Sequence, residues 1–212
     1  MSSVPPMPSE TPSEKPKPRR SDAWLMFTMF LKDGTKIASF SPSSPYLARA
    51  MIRGIDFNQA KVIVELGAGT GPITNELTKV VQPGTKLIVI ERDVDFAQRL
   101  RERFPTVDVI QGDAAKVEEL LAERGIDKVD HFISGLPLPS FPKTLRDEVI
   151  ASCMKHLAPE GTFRQLTVMP WVYYGLYKKY FSEVKFKFVA RNLPPSGVYI
   201  CRGYKHAAPA TA

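Results

Sequence analysis

Between Glu65 and Pro72 the chain reads E-L-G-A-G-T-G-P, three glycines at alternate positions bounded by an acid and an imino acid. A glycine-rich bend lets the backbone approach a ligand closely. Two of its neighbours narrow the choice of ligand. A dinucleotide fingerprint, G-x-G-x-x-G, wants its third glycine at position 72, where Pro72 has no N–H to offer a pyrophosphate. Glu65 would repel phosphates but attract an ammonium. Both facts suit a ligand with an amino-acid end and no phosphates. S-adenosylmethionine is one, with an α-ammonium and a cationic sulfonium. Gly67, Ala68, Gly69, Thr70 and Gly71 would form its cradle.

Further acids follow in order. Glu91, with Arg92 beside it, comes about 20 residues past the bend, where an acid accepts from both hydroxyls of a ribose. Asp113 lies in Q-G-D-A between Gly112 and Ala114, placed to accept from an adenine amino group. It stands equally well as the N-cap of a helix beginning at Ala114. The stretch I-S-G-L-P-L-P-S-F then brings Ser134, Gly135, Leu136 and Pro137 to the site without a single charge. Transfer of a methyl group from a sulfonium is an in-line displacement that needs alignment and dryness more than a strong base. A stiff, neutral lip fits that need, with Ser134 and Gly135 contributing backbone carbonyls.

The elements that must hold these residues alternate regularly from Lys61 onward. K-V-I-V-E-L, K-L-I-V-I-E, V-D-V-I-Q, V-D-H-F-I-S and G-T-F-R-Q-L-T-V-M read as strands. Between them lie helices, among them D-V-D-F-A-Q-R-L-R-E-R-F capped by Asp93 and K-T-L-R-D-E-V-I-A-S-C-M-K-H-L. Strands separated by helices of this length imply parallel pairing through right-handed crossovers, hence a doubly wound α/β sheet. The end differs: W-V-Y-Y-G-L-Y-K-K-Y-F reads as a helix, and E-V-K-F-K-F-V-A-R and G-V-Y-I-C-R-G-Y as a closing strand pair, so the sheet is expected to be mixed.

The chain has 212 residues, enough for one good core, with 43% hydrophobic and 24% charged residues. Its net charge of +7 suits an anionic partner, nucleic acid or an acidic membrane surface. No apolar run approaches the roughly 20 residues that span a bilayer. Cys153 and Cys201 make neither a disulfide framework nor a metal-type spacing, so no metal and a reducing cytoplasm are expected. Residues 1–20 are rich in Pro and Ser and are expected to be a disordered tail. In the next segment, Trp24, Phe27, Phe30 and Leu31 belong to an apolar set that nearly encircles a helix beside Arg19, Arg20 and Lys32. Such a helix is either buried in its own protein or lies at a lipid interface.

The acid-and-glycine pattern resembles the class I S-adenosylmethionine-dependent methyltransferases over roughly Val62 to Tyr204. That resemblance implies a Rossmann-like seven-stranded sheet with helices on both faces, whose last strand inserts antiparallel, and S-adenosylhomocysteine as product. Phe40 to Met51, F-S-P-S-S-P-Y-L-A-R-A-M, is similar to the corresponding segment of both ribosomal RNA adenine dimethylases and bacterial phospholipid N-methyltransferases. The RNA enzymes carry a helical domain after the sheet, and this chain stops soon after Tyr204. The lip lacks the N/D-P-P-Y/F of many amino-methylating relatives, with no ring at its fourth position to stack on a base. Over Ser21 to Gly203 the chain resembles phospholipid N-methyltransferases acting on phosphatidylethanolamine, with an N-terminal amphipathic helix and an S/G-L-P lip.

This resemblance implies residues 21–60 as a membrane-binding and substrate-access segment and 61–206 as the methyltransferase domain. It implies stepwise N-methylation toward phosphatidylcholine on the inner face of the cytoplasmic membrane, with anionic phospholipid as partner and no nucleic acid. Tyr46 is expected to orient the nitrogen. Its ring, with Trp171 or Tyr173, would face the methylated cation, worth ~0.5–2 kcal/mol. Arg191, and next Lys178 or Lys179, would anchor the headgroup phosphate. Ornithine lipid is the alternative amino-lipid. The remaining readings are a ribosomal RNA adenine N6-dimethyltransferase-like enzyme and a membrane-associated binding protein that kept the fold without turnover.

Overall fold

The computed structural model describes residues 44–167, 172–192 and 195–205. The expected tail, the N-terminal helix with Trp24, Phe27, Phe30 and Leu31, and Trp171 lie outside the described residues.

Five parallel strands are followed in the chain by an antiparallel pair. They are β1 (Val62–Leu66), β2 (Lys86–Glu91), β3 (Asp108–Gln111), β4 (Val129–Ser134) and β5 (Leu157–Thr167), then β6 (Phe181–Val189) and β7 (Ser196–Tyr204). The sheet order is β3-β2-β1-β4-β5-β7-β6, with β7 antiparallel between β5 and β6. This is the expected seven-stranded mixed sheet. β1 and β2 are near-continuous apolar runs because both of their faces are covered.

Helices cover each face. On one side α1 (Pro45–Ile52), α2 (Pro72–Leu77) and α3 (Val94–Arg103) bury Leu47, Met51, Leu77, Ala97 and Leu100 against Ile63, Val89 and Ile133. On the other, α4 (Val117–Ala122), α5 (Lys143–His156) and α6 (Tyr174–Tyr180) bury Leu121, Val149, Ile150, Cys153 and Tyr177 against Val64, Phe132 and Phe163. Local sequence sets the helix starts. Ser44 caps α1 by accepting from Leu47 N, and Asp93 caps α3 by accepting from Asp95 N and Phe96 N. Pro72 opens α2, where its missing N–H costs nothing, after Gly71 in the left-handed region at φ 80°.

Chain direction decides what shares an end of the sheet with the glycine bend. β1 to β5 all finish at that end, and β6 runs the same way, so Val189, Arg191 and Asn192 arrive there too. Ser44, at the start of α1, donates its N–H to Asn192 Oδ1 at 3.0 Å and its hydroxyl to Arg191 O at 3.2 Å. Two hydrogen bonds therefore latch the first described turn to the β6–β7 loop.

Candidate active site

A shallow cleft opens at the carboxyl ends of the central strands. Gly67, Arg92, Gly112, Asp113, Ala114 and Leu136 line it, all expected from the sequence, together with Ile90, Phe141, Leu145 and Val149, which were not. The wall is mostly apolar, and its charged groups, Arg92 and Asp113, sit 3.8 Å apart (Nη1 to Oδ2). Asp113 Oδ1 accepts from Ala115 N at 3.0 Å, so the capping role is occupied while Oδ2 faces Arg92.

The bend spends its own donors. Gly67 N–H donates to Ile90 O at 2.8 Å, Gly71 N–H to Ala68 O at 3.0 Å, and Gly69 N–H to Glu91 Oε2 at 2.8 Å. Pro72, lacking an N–H, removes a further donor that a diphosphate would use. Thr70 O accepts from Arg103 Nη1 at 3.2 Å, and Ala68 packs into the core beneath. Glu91 is buried, accepting also from Asp93 N at 2.9 Å; burial pushes its pKa up, against the hydrogen bonds of these N–H groups.

Glu65 is fully buried under the bend and does not line the cleft. Oε2 accepts from Thr74 Oγ1 at 2.7 Å, and Oε1 has no partner among the described residues. Burial raises its pKa to about 8, with the nearby Glu91 adding to the rise and Thr74 opposing it. Burial thus favours the neutral form of this carboxyl, and a nearby positive charge would favour the ionised one.

The lip is anchored by its apolar side chains. Leu136, Leu138 and Phe141 are buried in the core, and a single 3₁₀ turn spans Leu138–Ser140, with Pro137 at its start. Ser134 is buried, and its Oγ accepts from Leu136 N at 3.3 Å. Gly135 N–H donates to Leu66 O at 2.9 Å, and a Cβ at Gly135 would sit 2.7 Å from Gly67 O. A Cβ at Gly67, already at φ 67°, would run into Leu136 Cδ2. Glycine at both positions is what lets lip and bend touch. The ring that the lip lacks at its fourth position is present later as Phe141.

Tyr46 is half exposed at the first turn of α1 and does not line the cleft. The Arg191 guanidinium lies over its ring, 5.4 Å from the centroid. Arg191 has no carboxylate partner among the described residues. Tyr173 reaches the same end of the sheet, half-buried, its N–H donating to Tyr199 Oη at 3.2 Å. Lys178 is a correction. Helix α6 descends from Tyr173 to the start of β6, so Lys178 and Lys179 sit at the opposite end of the sheet. There Lys178 lies over Tyr174, 5.4 Å from the centroid, and Lys178 O accepts from Lys205 Nζ.

Sequence reasoning missed two buried polar groups on β5. Arg164 donates from Nη1 to Met51 O and Arg53 O, both at 3.0 Å, fixing the end of α1 with no carboxylate partner among the described residues. Gln165, fully buried, donates to Leu136 O at 2.6 Å. The only signal was an Arg-Gln pair set between the apolar Phe163 and Leu166 of β5.

These residues fit S-adenosylmethionine: an apolar slot for a purine, buried and rim acids for hydroxyl and amino donors, an acid under the bend with one oxygen unpartnered among the described residues, and a proline where a phosphate would want a donor. Comparison with solved structures gives the same class. The S-adenosylhomocysteine-bound 1,6-didemethyltoxoflavin-N1-methyltransferase of Burkholderia thailandensis superposes with a TM-score of 0.67, at 14% identity, over 92% of this chain and 94% of that one. The fold is that of the class I S-adenosylmethionine-dependent methyltransferases, in keeping with a cleft whose residues suit that cofactor. The ornithine lipid N-methyltransferase of Singulisphaera acidiphila is 50% identical over 189 residues, 88% of this chain and 98% of that enzyme. The chain belongs to that family of lipid N-methyltransferases. The expected likeness to ribosomal RNA methyltransferases is partial: a probable small-subunit enzyme of Methanosarcina barkeri is 30% identical over 129 residues, 59% of this chain but 39% of that protein. The TrkA-N domain family matches residues 67–154, less than half of the chain.

Proposed function

We propose that the protein N-methylates the free amine of ornithine lipid at a membrane surface. The whole-length likeness to the Singulisphaera enzyme carries this reading and reverses the order of the two amino-lipids expected from the sequence. An ornithine acylated on its α-nitrogen keeps a carboxylate and an alkyl δ-amine. It has no phosphate.

Bound in the cleft, S-adenosylmethionine supplies an electrophilic methyl group on a sulfonium. Glu91 and Asp113 hold its ribose and adenine, Gly67 and Gly69 shape the bend around its amino-acid end, and Glu65 lends charge from below. Arg191 takes the lipid carboxylate, for which a planar guanidinium with no ion-pair partner among the described residues is suited. Tyr46, under that guanidinium, positions the headgroup at the mouth. The amine must arrive unprotonated, and the apolar lip of Leu136, Pro137 and Leu138 disfavours the ammonium form. The same neutral walls exclude water from the displacement. The net charge of +7 supports docking on anionic lipid at the inner face of the cytoplasmic membrane.

The test supplies purified protein and methyl-labelled cofactor with ornithine-lipid vesicles, phosphatidylethanolamine vesicles and ribosomal RNA in parallel. Label is expected in ornithine lipid. Label confined to phosphatidylethanolamine or to RNA would displace this reading.

A further inference from the structure

Behind the lip lies a second polar device that the functional reading has not used. Gln165 stands at the end of β5, in register with Ser134 of β4 on one side and Tyr199 of β7 on the other. Its Nε2 donates to Leu136 O at 2.6 Å and to Leu166 O at 2.8 Å. Two carbonyl acceptors on one side fix the amide's orientation, since the reverse would face Oε1 against both. Oε1 is left buried and without a partner among the described residues.

The surroundings are neutral. Tyr199, directly across the strand pair, packs at a tilt against Tyr177 at 4.8 Å between centroids and against Phe186 at 5.0 Å. The Tyr177 hydroxyl is also buried and unpaired among the described residues. Side chains at 163 and 165 share one face of the sheet, and Phe163 packs in the core that holds Leu136, Leu138 and Phe141. An amide oxygen buried without a donor is costly, and native proteins seldom keep one without a reason. What it lacks is a donor. An amine supplies one, and Leu136, one hydrogen bond away, lines the cofactor cleft.

We propose that Gln165 Oε1, beside the lip, accepts an N–H of the acceptor amine and so aims its lone pair at the methyl group. This rests on the amine-methylation reading above. An amide is suited to the task because it accepts a hydrogen bond without taking a proton or stabilising an ammonium as a carboxylate would. In the transfer the nitrogen lone pair forms the new N–C bond, and the C–S bond breaks with its electrons passing to sulfur. The surplus N–H proton leaves to solvent. Gln165 is unchanged.

The test compares two soluble probes, a short-chain N-acylornithine and its δ-N,N,N-trimethyl derivative, which has no δ N–H. Their affinities are measured by calorimetry with S-adenosylhomocysteine present, for wild type and Gln165→Met. Losing a hydrogen bond to a charged or strongly polar donor corresponds to about a ten- to hundredfold drop for the first probe, with the trimethyl probe changed no more than about twofold. A purely structural role, through the Nε2 bond to Leu136, would weaken both alike, and that result overturns the inference. Gln165→Glu is the second arm: a carboxylate favours the ammonium, so the rising limb of its pH–rate profile moves to higher pH. An unmoved profile also overturns it. Should wild type bind neither probe and methylate no amino-lipid, the functional reading itself fails and this inference with it. Methylation by wild type with equal losses for both probes refutes Gln165 alone.

Discussion

Replacing Glu65 with glutamine isolates the acid under the glycine bend. This carboxyl is buried, with one oxygen on Thr74 and the other without a partner among the described residues, and its pKa is raised from 4.5 to about 8. Because the folded-state value lies above the unfolded one, its contribution to stability is full below pH ~4.5 and is lost as pH climbs toward ~8. Each pH unit in that window removes about 1.4 kcal/mol, hence about 3 kcal/mol between pH 5 and pH 7. Glu65→Gln keeps the shape and has no proton to lose. For a chain of this size 1 kcal/mol moves Tm by about 2–4 °C, so the gap between variant and wild type should widen by roughly 6–12 °C over that interval. Thermal unfolding followed by circular dichroism at successive pH values measures it. Cofactor binding tests the same group in the opposite sense: if a cationic ligand needs the ionised form, affinity rises about tenfold per unit up to pH ~7.5 and about one proton is released. Calorimetry in buffers of different ionisation enthalpy counts that proton. Parallel Tm curves for the two proteins, together with no proton release by wild type, would refute the reasoning.

Three further outcomes follow from the geometry. Arg191→Ala should raise KM for ornithine lipid about tenfold or more with kcat nearly unchanged, since a guanidinium–carboxylate pair at the mouth binds without taking part in the displacement; steady-state kinetics on mixed vesicles check this. Gly135→Ala sets a methyl 2.7 Å from Gly67 O and should cost about 1–3 kcal/mol of stability along with the contact between lip and bend, read by chemical denaturation and S-adenosylhomocysteine binding. His131, whose pKa is lowered to about 4 by burial and then by the Arg164 guanidinium, contributes stability that is present above pH ~6.5 and lost as pH falls toward ~4; in His131→Gln the acid-side decline in Tm should flatten.

The fold was legible because its elements announce themselves locally. Apolar runs such as V-I-V-E-L and K-L-I-V-I-E mark strands covered on both faces, Asp93 caps a helix that begins beside it, and Pro72 permits a helix start while refusing a phosphate. Six of the expected residues line the cleft for the same reason: each follows a strand end by one to three positions. What was hidden depends on pairing far along the chain. Lys178 seemed available for a headgroup until the direction of α6 sent it to the other end of the sheet. Gln165 matters through Leu136, 29 residues earlier, and Arg164 through Met51 and Arg53, more than 110 earlier. Glu65 was rightly tied to the bend, but side-chain direction put it beneath the loop rather than in the cleft. Substrate identity was the least legible, because a neutral lip suits any alkyl amine, and only the likeness to a lipid N-methyltransferase ranked ornithine lipid first.

The whole account turns on a bend whose glycine N–H groups are already engaged and whose supporting acid, Glu65, keeps one oxygen without a partner among the described residues. Titrating the protein separately with S-adenosylhomocysteine and with a nicotinamide dinucleotide puts that to the most direct trial. Saturable binding of the thioether with no measurable heat from the dinucleotide is the predicted result. Tight binding of the dinucleotide and indifference to the thioether would contradict it.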